Sequence, residues 1–262
     1  MRHYDADSYW QSLLSGSFNL QGASWPDLST GFLRWQYRAR ETAIRRVVPS
    51  VAGKRVLDVG PGTGYWVALW HRLGAASVAG FDLTAASVDH LTDKFPGDCF
   101  YQGDISAVVP PGGPYDLISA IDVLLHITDN DRYAAALENM RQAAHRGSRL
   151  VLLEPLSSGP PASFEAGSSS RARPIAMVRP LLAQSGWRVR AIHPALWLLT
   201  SPIETQPARL SLVLNWYWAH LRRTARHERI GAAAGATLYP LDRLLCRLPW
   251  GPTSRVLLAE AR

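Results

Sequence analysis

The chain passes from an apolar, strand-like run into a glycine-rich loop at Val56-Leu57-Asp58-Val59-Gly60-Pro61-Gly62-Thr63-Gly64-Tyr65-Trp66. Glycine adopts positive φ at little cost, so such a loop lets the backbone approach a bound molecule closely. The free N–H groups at the start of the following helix favour an electronegative group. The segment therefore predicts a strand, a turn and a helix that together hold a small polar ligand. A glycine-rich turn without a ligand is the alternative.

The spacing of these glycines separates two kinds of nucleotide site. A dinucleotide site has the pattern G-x-G-x-x-G, and here Tyr65 stands where the third glycine is needed for close helix packing. The loop instead has D-x-G-x-G-x-G, which resembles motif I of the class I S-adenosylmethionine-dependent methyltransferases. In that family the glycines border the methionine and ribose part of the cofactor. The resemblance implies cofactor contacts at Asp58, Gly60, Pro61, Gly62, Thr63 and Gly64.

Beyond the loop, apolar runs alternate with helical patterns, as in a parallel sheet covered on both faces. We therefore predict an α/β fold with a Rossmann-like, seven-stranded and mostly parallel sheet, as in class I methyltransferases. The seventh strand is expected to run antiparallel to the sixth. The predicted strands are Arg55–Val59, Ser77–Phe81, Cys99–Gln102, Leu117–Ala120, Leu150–Glu154, Trp187–His193 and Ser254–Glu260.

Acidic residues follow the second and third predicted strands. Asp82 comes 18 residues after Gly64, where a carboxylate can accept hydrogen bonds from both ribose hydroxyls. The alternative for Asp82, capping the next helix, fits Thr84 better. The resemblance implies that Asp104 accepts the adenine amino group and that the next, apolar residue packs on the ring; a solvent-facing turn is the alternative for Asp104. The remaining residues predicted to contact the cofactor are Leu83, Ile105 and Ile121.

The fourth predicted strand leads to Asp122 and His126. Methyl transfer from a sulfonium is an in-line displacement, so alignment and exclusion of water supply much of the rate. A hydroxyl acceptor must also lose its proton, for which histidine is suited near neutral pH. We predict His126 as the general base and Asp122 as a residue near the methyl group. The alternative is a core histidine bonded to a backbone carbonyl.

Two related classes of enzyme do not fit the same region. Methyltransferases that act on base amino groups carry a polar-Pro-Pro-aromatic signature, whereas this chain has Ser119-Ala120-Ile121-Asp122. Metal-dependent O-methyltransferases have an Asp-Asn pair after the fifth strand, but Asp129-Asn130 comes too early and Glu154-Pro155 occupies that place. Asp129 is better explained as the cap of a helix that begins near Arg132. We predict neither a metal nor a nucleic-acid partner.

The composition is that of a globular protein. The 262 residues carry a net charge of +7, and 26 of the 28 basic residues are arginine, so the charge by itself is poor support for phosphate binding. Cys99 and Cys246 are too few for a disulfide framework. The N-terminal residues lack the apolar stretch of a secretory signal, and no apolar run is long enough to span a bilayer. These features predict a cytoplasmic protein.

Both ends of the chain extend the basic fold. We predict a helical N-terminal extension at residues 1–50, with a helix from Thr30 to Val48, which resembles the lid of small-molecule methyltransferases. Residues 51–262 form the methyltransferase domain in this prediction. The segment 157–174 is rich in Ser, Gly and Pro and predicts a mobile loop, followed by a helix at Ala176–Ser185.

A helical cap insertion is predicted at about residues 196–250. Leu210, Leu214, Tyr217 and Leu221 form an amphipathic stripe, and a second helix is predicted at Leu238–Leu248. The insertion resembles a substrate cap; a dimer-forming helix pair is the alternative. The likeness to bacterial small-molecule methyltransferases also includes Tyr239-Pro240-Leu241-Asp242-Arg243 and Gly251-Pro252-Thr253-Ser254.

The sequence thus predicts an S-adenosylmethionine-dependent methyltransferase of a small molecule, a secondary metabolite or a saccharide, that acts at oxygen. One alternative is an enzyme of the same fold that catalyses a reaction without methyl transfer, such as a cyclisation. Another is a membrane-surface protein, because Trp216-Tyr217-Trp218 and the arginines that follow are typical of interfacial helices. The chain is expected to be a monomer or homodimer, and peripheral membrane contact stays open. The sequence does not identify the methyl acceptor.

Overall fold

A seven-stranded sheet forms the centre of the computed structural model, which describes residues 4–159 and 168–262. The sheet strands, numbered in chain order, are β1 Arg55–Val59, β2 Ser77–Asp82, β3 Cys99–Gln102, β4 Tyr115–Ile121, β5 Ala144–Glu154, β8 Trp187–Pro194 and β9 Arg255–Ala261. Their order is β3-β2-β1-β4-β5-β9-β8, with β9 antiparallel to both of its neighbours and the other pairs parallel. The predicted α/β fold is confirmed.

One stretch predicted as a loop contains a short strand pair. β6, Leu156–Ser157, pairs in parallel with β7, Arg173–Pro174. The prediction of continuous loop from 157 to 174 was therefore wrong at both ends, because pairing between its two ends is a long-range contact that composition does not reveal. Residues 160–167 of the predicted mobile loop lie outside the described part of the chain.

The helices cover the sheet. They are α1 Ala6–Gly16, α2 Thr30–Val47, α3 Tyr65–Arg72, α4 Ala85–Lys94, α5 Asn130–Gln142, α6 Ile175–Gln184, α7 Ala208–Thr224 and α8 Glu228–Leu245, with a 3₁₀ turn at Leu124–His126. The two predicted caps are confirmed. The side chain of Asp129 accepts a hydrogen bond from the N–H of Arg132, and that of Thr84 accepts one from the N–H of Ser87.

The second helix of the insertion begins earlier than predicted. α8 begins at Glu228 and not at Leu238, because its small residues are a packing seam against α2 and the residue before α2. A Cβ added at Gly231 would lie 2.2 Å from Ser29 Oγ, and one at Gly235 would lie 2.4 Å from Trp35 Cδ1. The glycines let the two helices approach closely, and this contact replaces the intrinsic helix propensity that they lack.

Side chains alternate along the strands between two apolar cores. Val56 and Leu117 face the core that contains residues of α2, α3 and α7. Leu57 and Ile118 face the other core, which contains residues of α5 and α6. Both faces of the sheet are therefore covered, as expected for mostly parallel strands.

Buried charges hold the segments that flank the last strand. The carboxylate of Asp242 on α8 is fully buried and accepts hydrogen bonds from the backbone N–H groups of residues 197–199, at 2.6 to 3.1 Å. Arg255 at the start of β9 pairs with Glu204 at 2.8 Å, and both side chains are buried. These contacts anchor the insertion to the sheet.

The N-terminal helices are part of the same packing. Phe32 and Ile44 of α2 lie in one core with Val56 of β1. The division into residues 1–50, 51–262 and an insertion at about 196–250 stays a prediction. Within residues 4–159 and 168–262, none of the helices has the length and apolar character needed to cross a membrane.

Candidate functional site

The glycine loop between β1 and α3 has a backbone that other residues would strain. Gly60, Gly62 and Gly64 have φ of 65°, 53° and 81°. A Cβ at Gly60 would lie 2.4 Å from Val123 Cγ2, and one at Gly64 would lie 2.6 Å from Leu91 Cδ2. The loop therefore needs glycine for its dihedral angles and, at two positions, for space.

A cavity of about 1450 Å³ opens beside this loop at the carboxyl ends of the parallel strands. Pockets for one drug-sized ligand are typically about 300 to 1,000 Å³, so the cavity has room for two molecules. Both predicted catalytic residues, Asp122 and His126, line it. So do most of the predicted cofactor residues: Gly60, Pro61, Gly62, Thr63, Asp82, Leu83, Asp104, Ile105 and Ile121.

Asp82 at the end of β2 is held against the glycine loop. Its Oδ2 accepts a hydrogen bond from the N–H of Gly62 at 3.2 Å, and its Oδ1 accepts two from the N–H and hydroxyl of Thr84 at 2.9 and 2.8 Å. Because a carboxylate oxygen has two acceptor sites, Oδ2 keeps capacity for a ligand hydroxyl. The position fits an acid that binds a ribose.

Asp104, after β3, already has partners. Its Oδ1 accepts hydrogen bonds from the N–H and hydroxyl of Ser106, and its Oδ2 pairs with Arg132 of α5. Arg132 also lines the cavity, and its side chain is 60% exposed. A ligand amino group that binds Asp104 must therefore share the carboxylate with an exposed surface guanidinium.

Two predicted cofactor residues do not reach the cavity. Asp58 is fully buried within β1, where the hydroxyl of Ser119 on β4 donates to its Oδ1 at 2.6 Å. Burial raises the pKa of Asp58 to about 7, and the Ser119 hydrogen bond opposes this in part. Gly64 is the N-cap residue of α3. Strand pairing covers Asp58 and helix packing covers Gly64, so both lie behind the loop and outside the cavity lining. Their contact with the cofactor stays a prediction.

Asp122 lies just after β4 in an unusual backbone conformation. Its φ is 55°, the left-handed region that non-glycine residues adopt at a cost of about 1 to 3 kcal/mol. Its N–H donates to the carbonyl of Leu153 at 2.7 Å, and its Oδ2 accepts from Nε of Arg40 at 2.5 Å. These bonds fix the carboxylate at the cavity wall.

Arg40 is a site residue that the sequence reasoning missed. It lies on α2 and lines the cavity, yet it is only 6% exposed. It falls on the buried stripe of that helix, together with Gln36, Tyr37 and Ile44. A charged residue on an otherwise buried stripe was the available signal, since such a residue requires a partner.

His126, in the 3₁₀ turn after Asp122, is held in one tautomer. Its Nδ1 lies 2.6 Å from the carbonyl oxygen of Ser169 and must donate to it, which leaves Nε2 with a free lone pair. Burial lowers the pKa of His126 below its usual range, although the Ser169 bond and the charge of Asp122 act in the opposite direction. The ring of Trp10 packs edge-on against the imidazole of His126, with 4.7 Å between the ring centroids. His126 therefore combines the carbonyl partner of a core histidine with a place in the cavity wall.

The turn that bears His126 is clamped by the segment around β7. The N–H of Arg171 donates to the carbonyl of Leu125 at 2.8 Å. Arg173, fully buried, donates to the carbonyl of Ile127 at 2.5 Å and faces Glu154. Burial raises the pKa of Glu154 to about 7. This buried polar network supports the turn that carries His126.

The N-terminal segment and the insertion meet at the cavity mouth. Arg222 of α7 donates to Asp27 at 2.7 Å and lies over the ring of Trp25, and all three line the cavity. Arg226 pairs with the same carboxylate at 3.3 Å. Sequence reasoning grouped these arginines by charge alone and missed their common partner.

The side chains in the described ranges do not form a metal-binding group of three or more His, Cys, Asp or Glu residues. Asp129 caps α5, with its Oδ1 accepting from the N–H of Arg132 at 2.9 Å. The prediction of a site that works without a metal stays a prediction.

Comparisons with known proteins place the chain in a family. Residues 32–227 match the family model described as a methyltransferase domain. Over 99 residues, the chain is 26% identical to a probable S-adenosylmethionine-dependent methyltransferase of Mycolicibacterium smegmatis; the match covers 38% of this chain and 38% of that relative. The matched region is therefore little more than a third of the relative's length.

Two solved structures share the fold. The [4+2]-cyclase SpnF has a TM-score of 0.51 and 18% identity, over 86% of this chain and 80% of its own. Magnesium protoporphyrin IX methyltransferase from Synechocystis, solved with bound SAH, has a TM-score of 0.52 and 16% identity, over 88% of this chain and 86% of its own. At these identities the likeness concerns the fold alone.

Asp58 gives the stability of the folded chain a pH dependence. The unfolded carboxyl has a pKa of about 3.9. The folded value is about 7. Between these values the folded state holds a proton that the unfolded state has lost, so this residue lowers stability as the pH rises. We predict that the free energy of unfolding of Asp58→Asn, measured with urea, rises relative to that of the native chain by about 2 to 3 kcal/mol as the pH increases from about 5 to about 8.

Val59→Ala on the same strand is the matched control, because it introduces a cavity without a titrating group and should cost the same free energy at both pH values. A difference between Asp58→Asn and the native chain that is equal at both pH values would contradict the prediction.

Proposed function

The chain belongs to the methyltransferase-domain family, whose cofactor is S-adenosylmethionine, and we propose that it transfers the cofactor's methyl group to a hydroxyl oxygen of a small molecule, a secondary metabolite or a saccharide. The observation that carries this proposal is the shared cavity. It brings the glycine loop and Asp82 together with His126, whose Nε2 is free to accept a proton.

The residues of the cofactor half fit this molecule. Asp82 would accept hydrogen bonds from the ribose hydroxyls, beside Gly60 and Gly62, whose backbone leaves room for close approach. Asp104 would accept from the adenine amino group, and Ile105 would pack on the ring. Leu83 and Ile121 would complete the apolar wall.

The acceptor half supplies the proton chemistry. When bound, the cofactor supplies an electrophilic methyl group on a positively charged sulfur. His126 would take the acceptor's hydroxyl proton at Nε2 while the acceptor oxygen forms its bond to the methyl carbon and the sulfur–carbon bond breaks. Asp122, oriented by Arg40, would lie beside the methyl group. Trp10 would exclude water from the same space.

The neutral histidine favours oxygen as the acceptor atom. A hydroxyl is a weak nucleophile until its proton is removed, whereas a neutral amine attacks without a base. Burial lowers the pKa of His126, so the base is unprotonated at neutral pH. The rival function is a reaction without methyl transfer on the same fold, as the fold shared with the cyclase SpnF illustrates.

Methyl transfer is tested with S-adenosyl-[methyl-³H]methionine and small-molecule extracts of the organism that encodes the chain. We expect enzyme-dependent label in an extractable product, with the methyl carbon bonded to oxygen by NMR. The matched control is the Asp82→Ala variant, which should give far less labelled product at the same low cofactor concentration. Tight cofactor binding without any labelled product would favour the rival function.

Cofactor binding should depend on Asp82. Asp82→Ala removes two charge-assisted hydrogen bonds, and we expect roughly a hundredfold weaker binding of S-adenosylmethionine by isothermal titration calorimetry. Asp82→Asn keeps one acceptor oxygen, so its affinity for the cofactor should lie between those of Asp82→Ala and the native chain. Asp89→Ala, an exposed acid on α4, is the control and should bind as the native chain does. Unchanged affinity in Asp82→Ala with a folded circular dichroism spectrum would refute the ribose assignment.

The role of His126 is read from rate and pH together. His126→Gln should lower the single-turnover rate roughly a hundredfold or more. Because the pKa of His126 is lowered, the native rate should persist to mildly acidic pH and fall below it, and the variant should lose this inflection. His227→Gln, an exposed histidine that precedes α8, is the control. If His126→Gln kept the native rate and pH profile, alignment of the substrates would be enough for catalysis and His126 would not be the base.

A further inference from the structure

The outward face of α7 carries a regular stripe of exposed residues. Arg209, Leu212, Trp216 and Arg223 follow one another at helical spacing on the side away from the core, and we name them the α7 outer stripe. Leu212 is 71% exposed and Trp216 is 65% exposed, and the adjacent Val213 is 60% exposed. Large apolar side chains this exposed, and contiguous on one helix face, indicate a surface that contacts something.

The opposite face of α7 packs against the rest of the protein and carries two of the three aromatic residues of the Trp216-Tyr217-Trp218 run. Trp218 is buried against Trp25, and the hydroxyl of Tyr217 donates to the carbonyl of Leu198 at 3.2 Å. Of the Trp216-Tyr217-Trp218 run, Trp216 faces outward. Arg222 and Arg226 pair with Asp27, and Arg222 lines the cavity, so neither belongs to the α7 outer stripe.

The charge of the helix has one sign. α7 has three arginines and no acidic residue among its 17 residues. Arg209 and Arg223 are exposed and lie two turns on either side of Trp216. The α7 outer stripe is therefore an apolar centre with a positive charge at each end.

We propose that the α7 outer stripe docks on an anionic lipid bilayer. Trp216 and Leu212 would enter the interfacial layer, where an indole ring places its apolar part toward the acyl chains and its N–H toward the headgroups. Arg209 and Arg223 would bind anionic headgroups on either side. The pattern of a charged rim around Trp and Leu matches helices that lie in the plane of a membrane interface.

Charge also argues against a second copy of this chain as the occupant. Trp216 is equidistant in sequence from Arg209 and Arg223, so two stripes that pack antiparallel about a twofold axis at Trp216 set each Arg209 opposite an Arg223. Like charges placed so close would oppose association. An anionic surface satisfies both arginines at once.

The docking would also orient the cavity. Arg222, next to Arg223 in the sequence, lines the cavity mouth, so α7 is a wall of the cavity on one side and the docking face on the other. Docking through this face would therefore hold the cavity at a fixed orientation to the bilayer. The docking itself does not depend on methyl transfer, and its test uses binding alone.

Vesicle co-sedimentation of the full chain tests the proposal. We expect binding to phosphatidylcholine vesicles with about one third phosphatidylglycerol, weaker binding at high salt, and at least tenfold weaker binding to phosphatidylcholine alone. Each arginine near an anionic surface contributes a factor of about five to binding. The double variant Arg209→Gln/Arg223→Gln should therefore bind the anionic vesicles at least tenfold more weakly than the native chain. Leu212→Ser/Trp216→Ser should lose a similar factor.

Matched controls change the same residue types elsewhere. Arg179→Gln/Arg188→Gln removes two exposed arginines from α6 and β8, and Val108→Ser/Val109→Ser removes two exposed apolar residues. Both should bind as the native chain does. As these are all surface changes, thermal unfolding should be alike in all variants.

Three outcomes would overturn the proposal. The native chain fails to bind anionic vesicles, or the stripe variants and the control variants bind equally. In the third outcome, analytical ultracentrifugation finds a dimer that Leu212→Ser/Trp216→Ser dissociates, which would assign the stripe to a second copy.

Discussion

The ion pair between Arg40 and Asp122 joins the N-terminal helices to the centre of the sheet. A guanidinium that is only 6% exposed is costly without a partner, so α2 must lie where Arg40 meets the residue after β4. Asp122 itself has a left-handed backbone conformation and lies just before the turn that carries His126. One contact therefore links the position of α2 to the shape of the cavity wall next to the turn that carries the histidine.

Local patterns in the sequence were enough to locate most of the fold. The central strands could be predicted because both faces of the sheet are covered there, so β1, β2, β4 and β5 each contain a buried apolar run. The caps Asp129 and Thr84 could be predicted because a cap acts on the next three residues. The start of α8 could not be predicted, because its glycines have a low helix propensity and their packing against α2 is a long-range contact. The pairing of Leu156 with Arg173 was not predicted for the same reason, since it joins distant parts of the chain.

The site shows the same division. Asp82 and Asp104 could be located from sequence, because the ends of parallel strands converge at one edge of a sheet. The direction of the Asp58 side chain could not, because it depends on the register that sets Ser119 of β4 beside it. Arg40 comes from a helix outside the sheet, and its partner is 82 residues away. Residues supplied by other elements are the part of the site that a linear motif does not contain.

The close contact of α8 with α2, made at Gly31, Gly231 and Gly235, influences the site although it lies outside the cavity. A Cβ at Gly235 would meet the ring of Trp35, and one at Gly31 would lie 2.7 Å from the carbonyl oxygen of Glu228. Any larger residue there pushes apart the two helices, and α2 is the helix that carries Arg40. Substitutions at these glycines would thus act like substitutions in the cavity, although none of the three glycines in the seam touches it. The cavity wall therefore depends on a packing surface on another side of α2, and we expect homologues that keep Arg40 to keep small residues along this seam.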